Sequence, residues 1–203
     1  IQTFSTKIDI KKFYDCKTEN YKVSNECFIN VLFIRSENVI NNVLITGDII
    51  WFSSQCVKKV RSIISKNLNI PTEGIILAAS HTHGTPNPES SISHPSFSKD
   101  FDEYITQKIL QSFYKTKASI KKKVKIEFRR TLASNFSVNR RRSALSFNDG
   151  IKYKMQNLPN LKKPVDNNID IIDFINIKTK KIAATIIKVN CHPVSSPKGV
   201  IGA

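Results

Sequence analysis

Between Val43 and Ser80 the chain carries a strand–helix–strand pattern that restricts its architecture more than any other stretch. The apolar run Val43-Leu44-Ile45-Thr46 ends in Gly47-Asp48 and reads as a strand. From Phe52 to Leu68 the period changes. Phe52, Cys56, Val57, Val60, Ile63, Ile64 and Leu68 recur at three- and four-residue spacing, which predicts an amphipathic helix with Lys58, Lys59 and Lys66 outward. Asn69-Ile70-Pro71 stops it, since proline lacks the amide donor a helix requires. Gly74 to Ser80 is almost wholly apolar and is expected to form a fully buried strand. Elements of these lengths make a βαβ unit, with parallel strands and a right-handed crossover. Ligands of such sheets gather beyond the carboxyl ends of the strands. Asp48 and His81-Thr82-His83 both fall there.

The flanking segments extend this pattern into a mixed sheet. Thr3 to Asp9 predicts a short strand, and Cys27 to Ile34 a second that turns at Glu37-Asn38 into the Val43 run. Gly84 to Pro95, rich in Pro, Ser and Asn, predicts a loop. A second helix follows, with Ser98 as N-cap, Asp100 in its first turn, and an apolar stripe of Phe101, Tyr104, Ile105, Ile109, Leu110, Phe113 and Tyr114. Val124, Ile126 and Phe128 alternate with charged residues as in a half-exposed strand. Ser134 to Asp166 is polar and poorly periodic, and is expected to be a long functional or mobile connection. Ile169–Ile177 and Ile182–Val189 predict a hairpin around Lys178-Thr179-Lys180-Lys181, ending in Asn190-Cys191-His192-Pro193. The expected class is α/β, a mixed β-sheet with flanking helices in one domain.

Charge bears on partners. The net charge of +16 suits anionic lipid headgroups or polyanions. The basic residues are nevertheless spread along the chain, with small clusters at Lys121-Lys122-Lys123 and Arg140-Arg141-Arg142. No basic stripe interleaved with stacking aromatics and no nucleic-acid motif is present, so nucleic acid is not expected as a partner. Cys16, Cys27, Cys56 and Cys191 form no CxxC pair and are expected chiefly as small buried apolar residues. A Cys16–Cys27 disulfide is an alternative that spacing does not decide. No apolar run approaches the roughly 18 residues needed to cross a bilayer. Ile1-Gln2-Thr3 lacks the regions of a secretory leader, and a start at Ile1 is compatible with a leader already removed.

Of the four histidines, His81, His83 and His192 directly follow predicted strands, whereas His94 lies in the Pro/Ser loop and is expected as ordinary surface. In an extended strand end His81 and His83 project to the same side, about 6–7 Å apart along the backbone. Three imidazoles converging at one edge of a sheet suit Zn²⁺, which takes nitrogen ligands at about 2.0–2.1 Å. The competing reading is that the histidines are separately hydrogen-bonded residues with no shared ligand.

Several segments, in order, resemble the neutral/alkaline non-lysosomal ceramidase family. Ile75-Ile76-Leu77-Ala78-Ala79-Ser80-His81-Thr82-His83 is similar to the strand that ends in that family's His-Thr-His signature. Leu44-Ile45-Thr46-Gly47-Asp48 resembles the strand preceding it, and Phe4-Ser5-Thr6-Lys7-Ile8-Asp9-Ile10 the opening segment. Asn135-Phe136-Ser137-Val138-Asn139-Arg140 is similar to the family's Asn-Arg-Ser region, and Asn190-Cys191-His192-Pro193 to its later histidine element. The loop Gly84-Thr85-Pro86-Asn87-Pro88 departs from the family's Ser-Gly-Pro-Gly.

The resemblance implies a zinc-dependent hydrolase of N-acyl, ceramide-like amides. His81 and His192 would be zinc ligands, and His83 and Arg140 would contact the scissile amide. Because relatives complete the shell with a later Glu and Tyr, residues 1–203 are expected to be the N-terminal part of a larger catalytic domain. The implied location is secreted, periplasmic or at the cell surface, with peripheral contact to an anionic membrane. Two other classes stay open: a non-catalytic relative that serves as a binding module, and a basic module that docks on anionic lipid or, against the absence of a motif for it, on nucleic acid.

Overall fold

The computed structural model describes residues 1–10, 13, 22–23, 26–36, 39–88, 99–133, 137–147, 151–191 and 200–201. In chain order these contain β1 (Gln2–Ile8), β2 (Lys22–Val23), β3 (Cys27–Ser36), β4 (Val39–Gly47), α1 (Ser54–Leu68), β5 (Ile75–Ala79), α2 (Lys99–Ala118), β6 (Val124–Leu132), β7 (Asn139–Ser146), β8 (Lys152–Asn160), β9 (Asn168–Asn176), β10 (Ile182–Val189) and β11 (Val200–Ile201). The class is α/β with a mixed sheet, as the sequence leads one to expect. The chain divides into two compact units, Ile1–Lys123 with Pro193–Ala203, and Val124–His192.

In the first unit the sheet order is β1-β3-β4-β5. β3 lies antiparallel to both β1 and β4, and β4 lies parallel to β5 across the predicted crossover. Strand alternation puts Cys27, Ile29, Val31, Phe33, Val43, Ile45 and Ile75 on one face, all buried. Onto that face α1 brings Cys56, Val60 and Ile64, and α2 brings Phe101, Ile105, Ile109 and Phe113, so both helices build one core. Phe33 meets Phe113 at a ring-centroid distance of 5.7 Å. Tyr114, placed on the stripe by the sequence pattern, is exposed instead.

Local chemistry sets the helix ends. Ser53 is the cap: its hydroxyl accepts from the Cys56 amide at 2.9 Å, so α1 starts at Ser54, two residues after the expected start at Phe52. Asn69 ends it in the left-handed region at φ 53, a conformation its short polar side chain tolerates. At the end of α2 the buried Gln2 amide donates to the carbonyls of Thr116 at 3.0 Å and of Ser119, just past the helix, at 2.7 Å, tying β1 to the helix end.

One expectation is corrected. β5 is not a fully buried strand; among the described residues it is an edge of the sheet, and Ile76, Ala78 and Ser80 are exposed on the side away from the helices. An apolar run records composition, and composition does not reveal whether a strand has neighbours on both sides. On that same side Ser5, Asn30 and Thr46 form a polar row across three strands, with Asn30 Nδ2 donating to Thr46 Oγ1 at 3.2 Å.

The second unit holds the antiparallel sheet β10-β9-β6 and the separate two-stranded ribbon β7-β8. The β9–β10 hairpin turns where expected. The Asn176 side chain accepts from the Lys178 and Thr179 amides at 2.9 and 3.1 Å, while Lys180 takes φ 59. The ribbon corrects a second expectation, since it occupies most of the stretch 134–166 assigned to an irregular connection. The ladder closes although both of its faces carry exposed residues, so no buried alternation marks it.

Candidate functional site

β4 and β5 are parallel neighbours, so their carboxyl ends open at the same edge of the sheet. There the chain after β5 is laced to the chain after β4. The Ser80 amide donates to Gly47 O at 2.9 Å and the His81 amide to Ile49 O at 3.0 Å. His81 Nδ1 lies 2.8 Å from Ile50 O. The Ile50 amide in turn donates to Thr85 Oγ1 at 3.2 Å, and the Gly84 amide to Thr82 Oγ1 at 3.3 Å. Thr82 and Thr85 are buried, so the two threonines brace the turn from inside while His81 is half-buried and His83 exposed.

The bond to Ile50 O has a chemical consequence. A carbonyl only accepts, so Nδ1 must carry the proton in the neutral ring, and the lone pair then belongs to Nε2. A backbone carbonyl on the second imidazole nitrogen is the support that metal-ligating histidines commonly have, because it fixes ring orientation and raises basicity. His81 also corrects the expected geometry. It does not sit on an extended strand end; it adopts φ 64, a left-handed conformation that is unusual for a residue with a Cβ. Despite that, the His81 and His83 rings approach to 5.2 Å between centroids at 84° between planes. Backbone strain of this kind costs roughly 1–3 kcal/mol and persists where surrounding structure over-determines it. Here five hydrogen bonds do so.

Asp48, at the same edge, is tied down by its own bonds. Its amide donates to Phe28 O at 3.0 Å, and its carboxylate accepts from the Phe28 amide at 2.9 Å. Burial pushes the Asp48 carboxyl above the ordinary carboxylate range, and the Phe28 amide opposes that shift. A raised folded-state value means that the ionised carboxylate costs stability at neutral pH. That cost is relieved as pH falls through the folded value. Asp48→Asn keeps an acceptor oxygen for the Phe28 amide and removes the charge. The expected result is a melting temperature at neutral pH equal to or above the parent's, with a flatter profile through weakly acidic pH. Thermal melts at a series of pH values test this, and a clear drop in the melting temperature at neutral pH would refute it.

Arg140 belongs to β7, in the second unit, and is exposed. The register shifts around it: Asn139 faces Asn160 while Arg141 faces Asn157, so Leu158 and Pro159 both stand opposite Arg140. His192 and His94 lie outside the described residues, and so does Cys16 with its conjectured pairing. The strand leading toward His192 is well anchored. Asn190 Nδ2 donates to the Asp166 carboxylate, and Lys188 Nζ reaches Asp166 at 3.4 Å and Asp170 at 3.7 Å. The Asn168 amide and side chain, followed by Lys188, hold the Asp166 carboxyl below its ordinary range. Cys27 and Cys56 are buried as expected, with burial pushing the Cys56 thiol up to about 11, whereas Cys191 is exposed.

The structure thus brings His81 and His83 together. Among the described residues no group of three or more His, Cys, Asp and Glu side chains could hold a metal ion. Two supporting groups escape a reading of motifs, the Ile50 carbonyl and the Thr85 hydroxyl. The first is backbone and has no letter of its own; the second is visible only as a threonine two residues after His83. Comparison of the chain with protein-family models, curated proteins and solved structures gives no match.

Proposed function

We propose that this chain carries part of the active site of a zinc-dependent hydrolase that cleaves the amide bond of an N-acyl, ceramide-like substrate. The observation that carries the reading is His81, whose Nδ1 is held by Ile50 O so that Nε2 presents the lone pair at the carboxyl end of a sheet. The ordered ceramidase-like segments support it, and they supply the substrate class. His81 and His192 would hold the ion, with further ligands from the rest of the domain. Bound there, zinc would lower the pKa of a water toward ~7 and polarise the amide carbonyl.

The chain's own residues have the remaining roles. His83 would hydrogen-bond the amide of a substrate seated beside the ion and pass a proton to the leaving amine, and its ring-centroid distance of 5.2 Å from His81 supports that role. For Arg140 the resemblance alone implies a role, in which it would contribute positive charge to the carbonyl oxygen as it becomes anionic.

The test joins two measurements on the full-length protein: metal content by elemental analysis, and release of a fluorescent amine from an N-acyl amide. Stoichiometric zinc with turnover is expected. In His83→Gln, turnover should fall on the order of 10²-fold with zinc retained, the size of effect general acid–base groups supply. Absence of bound zinc in the wild-type protein would discard the hydrolase reading in favour of a binding module.

A further inference from the structure

The β7–β8 ribbon has two unlike faces. Pairing of Ser143 with Met155 and of Leu145 with Tyr153 places Leu145, Tyr153 and Met155 on one face. Phe147 and Ile151 adjoin the two strands just beyond the Ser146–Lys152 pair, at an end termed the tip. Pairing of Arg142 with Gln156 and of Ala144 with Lys154 places Arg142, Lys154 and then Lys152 on the other. The apolar face is open to solvent: Phe147 is 70% exposed, Ile151 77%, Tyr153 76% and Met155 64%. Three large apolar side chains on one face of a ribbon that pairs with no other strand among the described residues, with exposed Phe147 and Ile151 beyond them and cations on the other face, need an explanation, because an isolated hairpin gains little stability by itself.

We propose that this ribbon is a docking device for an anionic lipid bilayer, with the tip and the Leu145–Tyr153–Met155 face entering the headgroup boundary. The chemistry matches on both faces. An amphipathic element with aromatic and aliphatic residues on one side and Lys/Arg on the other lies in the interface, its apolar side reaching about 5–10 Å inward. Tyr153 suits that depth because its ring is apolar and its hydroxyl stays wet. Arg142 and Lys152 have stems long enough to follow the apolar face while their charges reach the phosphates. Arg141 sits on the apolar side but six residues from Phe147, about 20 Å along the strand, where the ribbon emerges from the interface. The charge of the whole chain, +16, adds a long-range attraction to the same surface. Single-stranded nucleic acid could also use cations and exposed rings, but it offers nothing to Ile151, Met155 and Leu145. This surface does not depend on the hydrolase reading, and its test reads binding alone.

The experiment is co-sedimentation of the full chain with vesicles of phosphatidylcholine, with or without phosphatidylserine. Two variants accompany it, Phe147→Ser/Ile151→Ser and Arg142→Gln/Lys152→Gln; all four positions are exposed, and circular dichroism verifies their folding. Binding to the phosphatidylserine vesicles is expected. Loss of two cations should weaken it about 25-fold, at roughly fivefold per cation near such a surface. Loss of the tip should weaken it at least tenfold and abolish the part that survives high salt, since salt screens charge and leaves apolar insertion. Three outcomes overturn the proposal: no binding, binding that the tip variant leaves unchanged, or tip-dependent self-association in sedimentation velocity without vesicles. Tighter, vesicle-competed binding of the tip to a single-stranded oligonucleotide would overturn it as well.

Discussion

If His81 is a zinc ligand as proposed, its replacement by alanine should leave the protein without zinc and without amide hydrolysis, with the fold intact. Loss of an outer hydrogen-bond partner of a metal ligand costs roughly 10–100-fold in affinity, and loss of the ligand itself should exceed that. Two further substitutions separate chemistry from folding. His81 stands at φ 64, so glycine or asparagine at this position removes the imidazole and relieves backbone strain at once. His81→Gly and His81→Asn are therefore expected to melt at or above the parent temperature while retaining no zinc. That pattern, stability held or gained as function disappears, is the mark of a conformation kept for its side chain. Elemental analysis after gel filtration, paired with thermal melts, decides the matter. Zinc retained at full stoichiometry in all three variants would show that His81 is no ligand, and the strain at residue 81 would need another cause.

The largest effect on stability is expected from Phe33→Ala. Phe33 is fully buried on the inner strand β3, against the C-terminal part of α2, with Phe113 at 5.7 Å. Removing a buried phenyl forfeits its transfer energy and leaves a cavity that close-packed neighbours refill only in part, a loss of about 3–5 kcal/mol. Against a total of about 5–15 kcal/mol for a typical protein, such a loss brings the first unit near its unfolding threshold. Urea titration followed by the fluorescence of Trp51, the single tryptophan, reports on this unit. The midpoint should fall sharply with little change in slope, as the same surface is exposed on unfolding. A shift below 1 kcal/mol would mean that this face of the sheet repacks freely.

How much of this was legible beforehand varies by element, and the reasons are physical. The crossover from β4 through α1 to β5 follows from a change of apolar period at Phe52, and periodicity is local information. The β9–β10 hairpin follows from two apolar runs around Lys178–Lys181, again a local signal. By contrast Ile75–Ala79 reads as a fully buried strand and lies at the edge of the sheet formed by the described residues, because the number of neighbours belongs to the sheet and not to the segment. Lys152–Asn160 shows too little burial to announce itself, yet it pairs with Asn139–Ser146 over most of its length. At the site, the adjacency of His81 and His83 was apparent from their spacing. The left-handed turn at His81, the grip of Ile50 O on its ring and the bracing by Thr85 were not.

Local alternation and period, which follow from backbone geometry and the burial of apolar side chains, determined from the residues alone that the chain is α/β and that two histidines stand at the carboxyl end of a parallel strand. Which nitrogen of His81 bears the proton, which apolar faces stay open, and that Asp48 is bonded to the Phe28 amide were decided only by tertiary structure. Those features arise from hydrogen bonds and contacts between segments distant in the chain, and no short stretch of residues encodes them.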